Sequence, residues 1–213
     1  LFYYLEMSSV FVTGANRGIG LGLVQQFLKK SNVGKVFATA RNVDTAEIGN
    51  ALSQIKKARE CGQSGEFQIT LKCPFKVEKI VGENGLDFLV NNAGILHKVD
   101  IANLEKKVVM EQLEVNSVAP LLLTSAFHDL LKKAADKKGS AQVANISSTG
   151  GSLEIIGKVP MQKLCIYSMS KAAMNMMTRH MAMEWKADKI RATAFCPGWV
   201  QTDMGGKDAM LSV

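Results

Sequence analysis

The stretch "SVFVTGANRGIGLGLVQQFLKK", residues 9–30, decides how this chain folds. "SVFVTG" (9–14) reads as a short buried strand that runs into a tight turn. Beyond the turn, Ile19, Leu23, Val24, Phe27 and Leu28 recur at helical spacing and form one apolar stripe. A strand, a glycine turn and a helix make the opening of a βαβ unit. The same alternation continues. "KVFATAR" (35–41), "FQITLKC" (67–73), "LDFLVNNAG" (86–94), "AQVANISS" (141–148) and "KIRATAFCPG" (189–198) read as further strands. Helical patterns cover 46–58, 104–137 and 164–187. The pattern predicts an α/β fold: one doubly wound, Rossmann-type parallel sheet of six strands, with helices on both faces, in a single domain over 1–213. Residues 1–8 are expected to be loosely ordered. The crossover in 74–85 is short for a parallel connection, and Pro74 is expected to interrupt a helix there.

Composition narrows the function classes. The chain has 213 residues, 47% hydrophobic and 21% charged, enough for one sizeable core. Lys and Arg number 26 against 19 Asp and Glu, a net charge of +7. The lysines are scattered along helical faces and no basic run interleaves with aromatics, which argues against a nucleic-acid surface. No apolar run reaches membrane-spanning length. Cys61, Cys73, Cys165 and Cys196 form no C-x-x-C pair, and His97, His128 and His180 have no metal spacing. Free thiols in a reducing, cytoplasmic compartment and no metal site are the expectation.

"TGANRGIG" (13–20) lies where an anion would rest on a helix N-terminus. Gly14, Gly18 and Gly20 let the backbone turn tightly and approach a pyrophosphate; Asn16, Arg17 and Ile19 complete the turn. The spacing is G-x-x-x-G-x-G. A dinucleotide site that prefers NAD carries an acid at the end of the second strand. Here that place holds Arg41, with Arg17 inside the turn. Two guanidinium groups suit a 2′-phosphate, so NADP(H) is the expected cofactor.

"CIYSMSK" (165–171) sets Tyr167 four residues before Lys171, which puts both on one helical face. A phenol ordinarily titrates near pH 10, and a cation beside it would lower that value. By spacing alone the pair is either an acid/base device or two helix neighbours.

The glycine turn, "NNAG" (91–94), "NISS" (145–148), "YSMSK" (167–171) and "PGWVQTD" (197–203) occur in this order. Together they resemble the short-chain dehydrogenase/reductase family, and in detail its sniffer-type, NADPH-dependent carbonyl reductases. The resemblance implies a catalytic set of Asn116, Ser148 (with Ser147 as fallback), Tyr167 and Lys171. It also implies that Asn91, Ala93 and Gly94 line the adenosine side, and that Pro197, Gly198, Val200 and Thr202 meet the nicotinamide end, where Tyr167 and Lys171 also touch the cofactor. The activity implied is reduction of a ketone, aldehyde or quinone by hydride transfer from NADPH, with Tyr167 giving the proton and Lys171 lowering the phenol's pKa. "TGGSLEIIGKVPMQKLCI" (149–166), "HKVD" (97–100) and "MGGKDAML" (204–211) are expected to wall a pocket for a hydrophobic carbonyl compound. The two long helices are expected to pair into a homodimer or homotetramer. The family's acid after the third strand has no counterpart in "TLKCPF", and the family's last strand is expected to be missing. An NADP(H)-binding sensor or scaffold without catalysis, and an epimerase or dehydratase, are the alternatives.

Overall fold

The computed structural model describes residues 9–40, 66–69, 74–159 and 161–213. Six parallel strands form one sheet: β1 (Ser9–Val12), β2 (Lys35–Ala38), β3 (Glu66–Ile69), β4 (Phe88–Asn91), β5 (Ala141–Ile146) and β6 (Ile190–Phe195). Their order is β3-β2-β1-β4-β5-β6. The chain therefore reverses its direction of travel between β1 and β4, and a crevice opens at the carboxyl ends of those two strands. The helices are α1 (Gly18–Leu28), α2 (Pro74–Val81), α3 (Lys106–Leu113), α4 (Ala119–Ala126), α5 (His128–Lys138) and α6 (Cys165–Glu184). The patterns at 46–58, and the calls on 1–8 and Arg41, lie outside the described residues.

The strands read as unbroken apolar runs because both faces of the sheet are buried. Val10, Val12, Val36, Ala38, Phe88, Val90 and Ala144 point to one face and meet Val24, Phe27 and Leu28 of α1. Phe11, Phe37, Leu89, Val143 and Ile190 point to the other and meet Leu130, Leu131, Ala134 and Ala135 of α5 and Val77 and Val81 of α2. Pro74 does not interrupt the crossover. It opens α2 at the first helical position, where its missing N–H costs nothing.

The predicted helix at 104–137 forms, with one departure. Between α3 and α4 the backbone widens into a π turn, Glu114–Val118, closed by the Ala119 N–H on the Glu114 carbonyl. Pro120 supplies the reason. It has no N–H to give the Asn116 carbonyl in α-helical register, and its ring crowds that carbonyl. π turns of this kind recur at functional positions.

A chain of buried amides and hydroxyls crosses the sheet. Asn91 Nδ2 donates to Thr124 Oγ1 (2.8 Å) and to Asn145 Oδ1 (2.7 Å). Asn145 Nδ2 donates to Thr178 Oγ1 (2.7 Å). Thr124 and Thr178 donate in turn to the carbonyls of Pro120 and Met174. Asn91 and Asn145 are register partners in β4 and β5, so the ladder ties α4 to α6 through the sheet. Asn145→Ala leaves a buried Asn91 donor unpaired and should cost roughly 2 kcal/mol, read as a lower urea midpoint; an unchanged midpoint would show that the ladder carries no stability.

Candidate active site at the carboxyl ends of the strands

The glycine turn follows β1. Gly14 has φ 64°, and a side chain there would begin 2.8 Å from Ala93 Cα. A side chain on Gly20 would collide with the Gly14 carbonyl and come within 2.5 Å of Asn92 Nδ2. The turn is thus packed backbone against backbone on the loop after β4. Thr13 and Asn92 lash it there. Thr13 Oγ1 accepts from Asn92 N (2.9 Å) and Ala93 N (3.0 Å), while Asn92 Nδ2 donates to the carbonyls of Thr13 (3.0 Å) and Gly14 (3.1 Å). Sequence reasoning gave neither residue a role. The signal was present in the second Asn of "NNAG", since a polar side chain at a buried strand end needs a partner. Arg17 caps α1 from an extended conformation and forms an ion pair with Asp203 at 2.8 Å.

On the other side of the crevice, β5 ends at Ile146, and Ser147 and Ser148 follow it. Ser147 is buried and donates to Asn175 Oδ1 (2.6 Å). Ser148 starts the turn Thr149–Gly151, accepts from Gly150 N (3.1 Å), and lies beside the Tyr167 phenol. Of the two serines, the structure puts Ser148 next to the tyrosine and leaves Ser147 holding α6.

Lys171 is 4% exposed. Its ammonium donates to the Ile146 carbonyl (2.7 Å) and stands 5.6 Å from the centroid of the Tyr167 ring. Burial lowers its pKa from 10.5 to about 8. Burial also raises the Tyr167 pKa, with the Ser148 hydroxyl acting in the opposite direction. The expectation that Lys171 would lower the phenol is not met. The ammonium faces the ring and is spent on a carbonyl, and loss of water outweighs the rest.

Asn116 is fully buried in the π turn. Its Oδ1 accepts from Ile95 N (2.9 Å), and its Nδ2 donates to the Ile95 carbonyl (3.0 Å) and to Ser170 Oγ (3.0 Å). Ser170 donates to the Tyr167 carbonyl (2.7 Å), and Ser117 Oγ donates to the Ser170 carbonyl (2.9 Å). Asn116 thus clips the β4 loop to the helix that carries Tyr167 and Lys171. A side chain on Gly94 would begin 3.3 Å from Asn116 Oδ1 and 3.9 Å from Lys171 Nζ, so Gly94, Asn116 and Lys171 meet. Ser170 sat unassigned inside "CIYSMSK"; the clue was Asn116 itself, a buried amide that requires a donor or acceptor opposite. Asn91 is placed differently from the expectation. Its amide is committed inside the sheet, and only Ala93 and Gly94 of "NNAG" stand on the crevice side.

After β6 the chain turns at Pro197 and Gly198 (φ 82°) and doubles back. Val200 is buried and bridges Leu211; Thr202 packs against Gly18. The two other expected walls are joined: Val99 N donates to the Lys163 carbonyl (2.9 Å), and Lys163 pairs with Asp100 (3.1 Å).

The family profile described as short chain dehydrogenase matches residues 8–210. The chain belongs to that family. Its fold superposes on the NADPH-bound carbonyl reductase from chicken fatty liver with a TM-score of 0.88 and 36% identity, covering 98% of this chain and 82% of that one. The Drosophila melanogaster carbonyl reductase Sniffer gives a TM-score of 0.83 and 31% identity, covering 97% and 87%. Among curated sequences, a 3alpha-hydroxysteroid dehydrogenase of Mediterraneibacter gnavus is 27% identical over 209 residues, 96% of this chain and 78% of that protein. Among the described residues, no helix is long and apolar enough to cross a membrane.

The lowered pKa of Lys171 has a thermodynamic consequence in this short-chain dehydrogenase. Below pH 8 the folded chain carries a buried ammonium. Between about 8 and 10.5 the unfolded chain holds a proton that the folded chain has lost, so this contribution to stability rises with pH. Lys171→Met should therefore raise the unfolding free energy at pH 7 by about 1–3 kcal/mol, the burial penalty less the lost bond to Ile146. Urea melts at pH 7 and pH 10 measure this. A gain that does not shrink at pH 10 would contradict it.

Proposed function

We propose that this chain reduces a hydrophobic carbonyl compound to an alcohol, with Tyr167 as the proton donor and NADP(H) as the cofactor. The observation that carries the reading is the meeting of Ser148, Tyr167 and Lys171 beside the glycine turn, at the crevice between β1 and β4. The residues present fit a dinucleotide. The glycine turn follows β1 directly and opens onto the N-terminus of α1, and its tight packing on the β4 loop, which no side chain on Gly14 or Gly20 would permit, fixes its backbone there. Gly14, Asn16, Gly18, Ile19 and Gly20 would hold the pyrophosphate, Ala93 and Gly94 would flank the adenosine side, and Pro197, Gly198 and Thr202 the far end. Arg17 offers a guanidinium to a 2′-phosphate, and the solved relatives that hold NADPH or NADP agree with that choice. Bound NADPH supplies the hydride.

The chain's own groups supply the rest. The Ser148 hydroxyl can donate to the carbonyl oxygen as negative charge develops there. Burial keeps the Tyr167 phenol neutral at pH 7, which is the form that gives up a proton. The Lys171 ammonium, 5.6 Å from the ring centroid, does not outweigh burial in the resting phenol; it would offset charge only on the phenolate left behind. The Asn116 side chain is fully engaged in clipping the β4 loop to α6, so it acts as a positioning residue. The loops after β4, β5 and β6 expose Ile101, Leu153, Trp199, Met204 and Met210, which favours an apolar substrate.

NADPH oxidation by a panel of quinones, ketones and aldehydes tests the reading. Tyr167→Phe should abolish turnover and leave the NADPH dissociation constant nearly unchanged. Ser148→Ala should lose far more activity than Ser147→Ala. The wild-type rate should fall as pH rises through about 8, where Lys171 loses its charge. Substantial turnover by Tyr167→Phe, or a clear preference for NADH, would sink the assignment.

The exposed Val118, Leu121 and Leu122 near α4, with Met169, Met176 and Met183 on α6, support pairing of the long helices between two copies. Light scattering should give at least a dimer, and Leu122→Glu should shift it toward monomer.

A further inference from the structure

The segment from Trp199 to Val213 is a closed strap that lies against the glycine turn. Gln201 N donates to the Leu211 carbonyl (2.7 Å), Leu211 N to the Trp199 carbonyl (3.0 Å), and Gly206 N to the Thr202 carbonyl (2.8 Å). The Trp199 indole N–H donates to the Gly205 carbonyl (2.7 Å), and Gln201 Nε2 to the Ala209 carbonyl (2.9 Å). Three contacts dock the strap on α1. Thr202 Cγ2 lies 3.0 Å from where a side chain on Gly18 would begin, Val213 Cγ1 lies 2.7 Å from the same point on Gly22, and Asp203 pairs with Arg17 at 2.8 Å. The only charge-to-charge contact of the three falls on the guanidinium that the dinucleotide reading assigns to a 2′-phosphate.

We propose that Asp203 competes with the 2′-phosphate for Arg17, so that binding a 2′-phosphorylated nucleotide unlatches the strap from the glycine turn. The inference rests on the dinucleotide reading above. Both partners of the ion pair are well exposed, with side chains 50% and 73% accessible. A pair of that kind is weak, because water solvates each charge and salt screens them. A phosphate dianion offers more charge and a bidentate geometry to the same planar fork. It also repels the nearby carboxylate. A nucleotide without the 2′-phosphate offers Arg17 no such partner, so the latch stays closed. The strap carries Met204 and Met210, two exposed apolar residues of the loop after β6. Asp203 would thereby link the identity of the nucleotide to the shape of the substrate side.

The test uses adenosine 2′,5′-bisphosphate against AMP, two probes that differ only in the 2′-phosphate and carry no nicotinamide. Deuterium uptake over 201–211 in the full chain reads the strap, and Trp199 fluorescence in a Trp185→Phe background reads it independently. The bisphosphate should speed exchange in the strap, and AMP should not. Asp203→Asn should show fast exchange without any ligand and should bind the bisphosphate about two- to fivefold more tightly at low salt, with AMP affinity unchanged. Asp203→Glu should keep the slow exchange. Bisphosphate binding that leaves the strap silent overturns the latch alone. Weaker bisphosphate binding by Asp203→Asn also overturns it, by making the pair a scaffold of the site. Failure of the wild type to bind either bisphosphate or NADPH overturns both the latch and the dinucleotide reading.

Discussion

A buried ammonium sets the terms for the rest of this site. Lys171 is held among helix, strand end and loop at a pKa near 8, which means that the fold keeps a charge where water is scarce. That arrangement is stable only if neighbouring groups are fixed. The Ile146 carbonyl accepts from it, α6 is clamped by Asn116 through Ser170, and Ser147 and Asn175 hold the helix to the end of β5. Asn175 continues the clamp by donating to the Gly151 carbonyl. Each of these bonds satisfies a buried polar group, so none can be lost without orphaning another. The same desolvation that taxes the lysine keeps the tyrosine protonated. One physical cause therefore acts on both groups in opposite senses of charge: it holds the phenol in its neutral form and makes the lysine's proton easier to lose.

The order of the chemical elements along the chain was readable because each sits where backbone geometry changes. The glycine turn, the serines following β5 and the Tyr167/Lys171 spacing are local patterns, and the fold reproduces their local context. Strand pairing was legible for a related reason: continuous apolar runs separated by helical stripes have few ways to bury both faces. What was not legible depends on partners far apart in sequence. Nothing near Asn116 says that its amide will be spent on Ile95 and Ser170, 21 and 54 positions away. Nothing near Tyr167 says whether the cation or the loss of water will dominate its titration. The π turn falls between these cases. Pro120 marks the place, but whether a proline kinks, ends or widens a helix depends on what packs beside it. Arg17 is the converse case: its residue type suggested a phosphate partner, and its neighbour across the fold is the carboxylate of Asp203.

The membership of the chain in the short-chain dehydrogenases agrees with this division. The family is defined by the local patterns, and its fold accommodates many substrates by varying loops at one end of the sheet. Here those loops are joined in pairs. The segment after β4 is tied to the one before α6 through Val99, Asp100 and Lys163, and the segment after β6 is tied to α1. The walls of the crevice are therefore two coupled bodies rather than three independent ones, and a substitution in one wall is felt in the wall to which it is bonded.

The amide ladder through Asn91 and Asn145 bears on a problem common to parallel sheets. Strands that are apolar on both faces are poorly keyed: sliding one past another by two residues keeps every side chain greasy and every face buried. In β4 and β5 such a slide would part Asn91 from Asn145 and take Asn145 away from Thr178, breaking the amide ladder. Hydrophobic pattern alone tells these strands to pair; the two asparagines tell them where to stop. The ladder works as a vernier, and Asn145 lies two positions before Ser147 and three before Ser148, the serine beside Tyr167.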